Sequence, residues 1–210
     1  DSPIAVYCFP RDCYDLWQSS GGQAWDGLYL IRPGDAPIAI YCAMQEGGWM
    51  VVQHNTVNSS MDFDRGWDEY KRGFGSLRGN HWLENEHLHR LTRGPARYKL
   101  GIMLVDEDAV TKTGEYELAL VEDVEAQYRL RLGLFQGTAA DTLTLDTDNY
   151  LHDNQRFTTT VNVINWQKDC NKEHLCKYSV NRVMNQWIYE SVKSVICHES
   201  LESINRVINQ

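Results

Sequence analysis

The sequence predicts an α+β fold, a twisted and mainly antiparallel sheet flanked by short helices, and three observations point to it. Tyr98, Leu100, Ile102 and Leu104 share one alternating phase, Tyr116, Leu118 and Leu120 a second, and Tyr128, Leu130, Leu132 and Leu134 a third. Consecutive alternating segments with charge on the opposite face imply adjoining antiparallel strands. Phe63, Trp67 and Tyr70 recur at i, i+4 and i+7, the spacing that sets three rings on one face of a short helix. Six cysteines stand at 8, 13, 42, 170, 176 and 197 with no C-x-x-C among them. That pattern favours disulfides in an oxidising compartment over a zinc or thioredoxin-type motif.

Bulk properties narrow the function. A chain of 210 residues with 42% hydrophobic content can bury a full core. The net charge of −9 argues against a nucleic-acid or anionic-membrane partner. No run approaches the roughly 18 apolar residues of a membrane span. Asp1-Ser2-Pro3 reads as a mature or trimmed end, not as a signal peptide. The sequon Asn58-Ser59-Ser60 lies in a polar stretch, so Asn58 is expected to carry a glycan and the protein to be secreted and extracellular.

In chain order, Pro10-Arg11-Asp12-Cys13 opens a short helix over residues 14–18. Strands follow over residues 28–31 and 38–42, separated by the turn Arg32-Pro33-Gly34-Asp35, and a third over residues 49–53. Asp62 or Asp64 can cap the aromatic helix, Lys71 and Arg72 suit its negative end, and Gly73 can stop it in the left-handed conformation. A second short helix turns Leu88 and Leu91 inward, with Glu84 and Glu86 near its positive end. The large aromatics here are core anchors, not a catalytic site.

The same stretch resembles the centre of a fibrinogen-related domain, the C-terminal globe of fibrinogen chains, ficolins, tenascins and angiopoietins. That family carries D-F-x-R-x-W-x-x-Y-K-x-G-F-G-x-x-x-G-E-F-W-L-G-N and then H-x-L-T. Asp62, Phe63, Arg65, Trp67, Tyr70, Lys71, Gly73, Phe74, Gly75, Gly79, Trp82, Leu83, Asn85, His89, Leu91 and Thr92 match in order. Asn80-His81 stands where the family has Glu-Phe, and Glu84 replaces a glycine. Upstream, Pro10 to Cys13, Tyr41-Cys42-Ala43-Met44 and Gly47-Gly48-Trp49 are similar to P-R-D-C, V-Y-C-D-M and G-G-W. Gly137-Thr138-Ala139-Ala140-Asp141-Thr142-Leu143 resembles G-T-A-G-D-S-L. The resemblance implies a globe with a disulfide-closed N-terminal subdomain over residues 1–50, a central sheet subdomain over 51–145 and a divergent region over 146–210. It also implies that Cys13 pairs with Cys42. Among the other cysteines Cys176 with Cys197 is the preferred pair, leaving Cys8 and Cys170 to join the two ends or to pair between chains.

Beyond Leu143 two alignments to the family's calcium loop compete. One matches Phe157-Thr158-Thr159 to F-S-T and leaves Val161, Val163 and Asn165 where acidic ligands belong. The other matches Asp146-Thr147-Asp148-Asn149 to D-x-D-N. In that reading Asp146 and Asp148 supply carboxylates to Ca2+ and Tyr150 and His152 supply backbone carbonyls, against the alternative of an ordinary polar loop. Asp153 belongs to the same carboxylate-rich loop. Trp187, Tyr189 and Cys197-His198-Glu199-Ser200 echo later family motifs at altered spacing, and the family's closing W-x-x-W-x-G-x-x-Y-S segment is absent. Read by periodicity alone, residues 178–209 look helical: Val180, Val183, Met184, Trp187, Ile188, Val192, Val195 and Ile196 keep a helical period.

No nucleophile elbow, zincin, dinucleotide or phosphate-loop motif is present in the sequence, so no enzyme is expected. His81, His87 and His89 read as solvated surface histidines, since two residues apart on a helix cannot share an ion. The expected function is a secreted, non-enzymatic module for protein interaction or extracellular assembly, oligomeric with itself or with sister subunits. The alternative, implied by ficolin-like relatives, is calcium-dependent recognition of N-acetylated glycans in innate immunity, with Trp187, Tyr189, His198 and Ser200 in the pocket.

Overall fold

Asp12 starts the first helix in the computed structural model, which describes residues 9–56, 59–105, 109–141, 143–144, 153–159 and, as backbone, 192–199. Its carboxylate accepts the Asp15 amide at 2.8 Å and so caps α1, Cys13–Ser19. The other oxygen, Oδ2, accepts from Arg11 Nε at 3.1 Å and from the Tyr98 hydroxyl at 2.9 Å, 86 residues away in sequence. Strands β1, Gly27–Ile31, β2, Ile38–Ala43, and β3, Trp49–His54, form an antiparallel meander. Cys13 and Cys42 are disulfide-bonded with Cα atoms 5.6 Å apart, as the family resemblance implies, and both are fully buried.

The aromatic helix is shorter than its spacing suggests. Helix α2 spans Trp67–Arg72, so Phe63 lies ahead of it rather than on it. Neither Asp62 nor Asp64 caps it. Asp62 instead accepts the Asp64 amide at 2.7 Å, and Gly66 is the N-cap, its amide bonded to the Glu69 carboxylate at 3.1 Å. Phe63 still reaches the core, because its carbonyl accepts the buried Tyr70 hydroxyl at 2.6 Å. Gly73 ends the helix at a positive φ of 73° but with an extended ψ of 163°, which leads straight into strand β4, Phe74–Gly75. Strand β5, His81–Trp82, pairs with β3 and β4, and α3, Asn85–Thr92, turns Leu88 and Leu91 inward as expected.

Strands β6, Tyr98–Val105, and β7, Thr111–Val121, pair antiparallel, but not in one continuous phase. Tyr98 faces Ala119 while Leu100 faces Tyr116, so three steps along β7 match two along β6. This bulge turns both Tyr116 and Ala119 inward and leaves Leu118 38% exposed, against the expected phase of Tyr116, Leu118 and Leu120. The third expected strand is divided at the same level. Strand β8, Leu130–Leu132, pairs with one end of β7, and β9, Phe135–Gly137, with the other. Gly133 between them donates its amide to the Leu118 carbonyl at 3.0 Å, and a Cβ there would lie 2.8 Å from the Leu118 nitrogen. Tyr128, buried at φ 48°, sits outside the strand altogether.

Residues 192–199 correct the helical reading of the C-terminal region. They form strand β10, Val192–Glu199, inserted antiparallel between β3 and β6 in the order β1-β2-β3-β10-β6-β7-β8. Val192, Val195 and Ile196 satisfy a helical period, yet β-branched residues also fit a pleated surface. Backbone pairing on both sides decides the outcome, since any other element here would leave β3 and β6 with unpaired edges. The rest of the helix expected over residues 178–209 lies outside the described residues. The sheet also runs unbroken through residue 50, because β2 pairs with β3.

One face of β1 to β3 carries Ile31, Ile40, Cys42, Met50 and Val52 into the core. The opposite face carries Leu28, Leu30, Tyr41 and Val51 in register, since Leu28 pairs with Tyr41 and Tyr41 with Val51.

Candidate functional site

The centre of the molecule is occupied by rings. Tyr70 from α2 meets Phe74, Trp82 and Phe157 with centroids 5.1 to 5.2 Å apart, and Trp67 meets Tyr128 at 5.6 Å and Phe157 at 6.1 Å. The Trp82 indole donates to Asn85 Oδ1 at 2.9 Å. Burial, then the negative charge of Asp64, drives the Tyr70 hydroxyl well above its ordinary range, so it stays a hydrogen-bond donor. In this hub Tyr70, Trp82 and Tyr128 are buried and Trp67, Phe74 and Phe157 partly so, as expected for core anchors. It also fixes a loop: Phe157 brings residues 153–159 across, with its amide on the Gln127 carbonyl at 2.9 Å.

The expected metal ligands Asp146, Asp148, Tyr150 and His152 lie outside the described residues, but both ends of their loop are placed. The Asp153 amide donates to the Leu143 carbonyl at 2.9 Å, and Asp153 Oδ1 accepts the Leu132 amide at 2.8 Å. Asp153 therefore ties the loop to β8. On the other flank Asp141 accepts from the Tyr116 hydroxyl at 2.9 Å, from the amides of Leu143 and Thr144, and from the Thr144 hydroxyl. Burial alone would raise the Asp141 carboxyl, but these hydrogen bonds outweigh it and hold it below its ordinary value. Among the described residues no group of three or more His, Cys, Asp and Glu is placed to hold a metal ion.

Asn58, Cys8, Cys170, Cys176, Trp187, Tyr189 and Ser200 also lie outside the described residues. Cys197 and His198 fall on β10, where their backbones pair with Leu100 and Lys99.

His81 is not a surface histidine. It is 1% exposed, with Nδ1 2.9 Å from the Gly79 carbonyl oxygen and Nε2 3.1 Å from that of Val51. A signal for this was present: His81 stands where the resembling family has Phe, a residue type that is usually buried. His89 Nδ1 lies 2.8 Å from the Val121 carbonyl oxygen and joins α3 to β7. His87 is partly buried, which depresses its pKa despite Glu84 nearby. None of the three is a free surface imidazole.

Residues 9–198 match the profile of the fibrinogen beta and gamma chains' C-terminal globular domain, well past Leu143. Fibrinogen-like protein 1-like protein of Gallus gallus is 39% identical over 155 residues, covering 71% of this chain and 53% of its own. The chain thus spans about half the length of this curated relative. The fibrinogen-like globe domain of human ANGPTL6 superposes with a TM-score of 0.64 at 30% identity, over 75% of this chain and 68% of that one. Fibrin D-dimer of lamprey, complexed with the peptide Gly-His-Arg-Pro-amide, gives 0.64 at 29% identity, over 75% and 52% of the two chains.

Proposed function

Because this protein belongs to the family of the C-terminal globular domain of fibrinogen beta and gamma chains, we propose that it is a secreted, non-enzymatic module that binds extracellular polypeptides or sister subunits. The observation that carries the reading is the family match across residues 9–198. A structural relative that holds a peptide supports the choice of partner class. The buried Cys13–Cys42 disulfide suits an oxidising compartment, and glycosylation at Asn58 and oligomerisation through Cys8 or Cys170 belong to the same proposal.

Native mass measurement alongside a glycan array tests it. A disulfide-linked or non-covalent oligomer without glycan binding supports the proposal. A monomer that binds N-acetylated sugars only with calcium would instead support the lectin reading built on Trp187, Tyr189, His198 and Ser200. The loop with Asp146, Asp148, Tyr150 and His152 is proposed as its calcium site. A calcium ion bound only by the folded state raises the melting temperature by mass action, so chelator should lower it. A melting curve indifferent to chelator removes calcium from the proposal.

A further inference from the structure

The outer face of the sheet holds a concavity of about 330 Å³, a volume near the lower end for small-ligand sites. Tyr41, Val51, Leu77 and Met103 give it apolar walls, and Glu46 and Arg78 line it as well. Its side formed by residues 76–80 is pinned from three directions. The turn closes through the Gly79 amide on the Ser76 carbonyl at 2.7 Å and the Ser76 amide on the Asn80 carbonyl at 3.0 Å. The Asn80 side-chain amide reaches Ser59 Oγ at 2.8 Å and Thr56 Oγ1 at 3.2 Å. The buried His81 ring bridges the Gly79 and Val51 carbonyls, tying turn to strand. Leu77 and Arg78 are therefore presented on a preformed edge, which lowers the ordering cost of binding.

Arg78 lies on that edge, and among the described residues it makes no hydrogen bond or ion pair. In a chain with 29 Asp and Glu against 20 Lys and Arg, a cation that meets no carboxylate among the described residues, beside an apolar hollow, has charge to offer a ligand. Glu46, which does not pair with Arg78, sets like charge against a second carboxylate.

We propose that this concavity is a docking pocket for a polypeptide residue that joins a large apolar side chain to a single carboxylate. The side chain lies on Tyr41, Val51, Leu77 and Met103, and the carboxylate meets Arg78. The assignment rests on the interaction reading above and names where, and to what chemistry, the globe binds.

N-acetylphenylalanine and its neutral amide differ only in the carboxylate, so titrating each into the isotope-labelled full chain isolates the charge. The acid should produce saturable amide shifts at Val51, Leu77, Gly79 and Met103. The neutral amide should bind about tenfold more weakly, the size of one favourable charge contact. Arg78→Ala should erase that difference and Arg78→Lys should keep most of it; the side chain bonds to nothing else described, so neither change threatens the fold. Equal affinity for acid and amide, or no shifts at these four amides, overturns the proposal. Binding of glucuronate in place of N-acetylphenylalanine would overturn the polypeptide assignment. Oligomer mass and glycan-array results do not depend on Arg78, so failure here is separable from failure of the interaction reading.

Discussion

Replacing Asp12 with Ala removes the cap of α1, the acceptor that holds Tyr98 from β6 and the half-exposed ion pair with Arg11, of which the first two carry most of the cost. Loss of the cap costs about 1 kcal/mol. Taking the Asp12 acceptor from a hydroxyl on a residue 1% exposed costs about 2 kcal/mol more. Asp12→Ala should therefore lose about 3 kcal/mol, a large share of a domain stability of roughly 5 to 15 kcal/mol. Tyr98→Phe alone should lose only about 1 kcal/mol, since Asp12 keeps its bonds to Asp15 and Arg11. The two changes should not add. With the carboxylate gone, Tyr98→Phe also removes the hydroxyl that lost its Asp12 acceptor and should restore about 1 kcal/mol, giving a coupling near 2 kcal/mol. Urea unfolding with the disulfide intact reads all four proteins, and the seven tryptophans provide the signal. If the double variant loses the sum of the single losses, the contact between Asp12 and Tyr98 is not what joins α1 to the sheet.

Three further outcomes are expected. Replacing Cys13 and Cys42 together with Ala reopens a loop of sequence separation 29 and should cost about 3.5 kcal/mol in the chain-entropy picture; a loss below about 1 kcal/mol in urea would contradict it. Gly75→Ala forces a side chain onto a φ of +89° and against the Asn80 carbonyl oxygen, and should lower the melting temperature by about 10 °C. Tyr128 is pushed up to about 12 from 10.0, by burial first and then by Glu86. The folded state keeps this proton after the unfolded chain has released it, so its contribution is whole below pH 10.0 and is lost as pH rises towards about 12. Tyr128→Phe should flatten that part of an alkaline stability profile, and an unchanged profile would show that the ring is not protected.

Much of the fold is legible because it is local. Asp12 ahead of a helix, and strands broken by Arg32-Pro33-Gly34-Asp35, carry their own backbone preference, which the structure keeps, and Gly73 ends its helix at the expected positive φ though with an extended ψ. The resemblance to fibrinogen-related domains adds the Cys13–Cys42 pairing, which spacing cannot supply, and it places His81 at an aromatic position, a mark of burial that the surface reading of this residue passed over. What the tertiary structure alone decides is non-local. The bulge opposite Tyr98 and Leu100 comes from fitting β7 to β6 and to the divided β8 and β9, so it turns Leu118 outward against its own alternation. The choice of strand for residues 192–199 belongs to β3 and β6, well over a hundred residues away in the case of β3. Val192, Val195 and Ile196 keep a helical spacing while their β-branching suits a strand, and unpaired backbone on two neighbours is what makes the strand win.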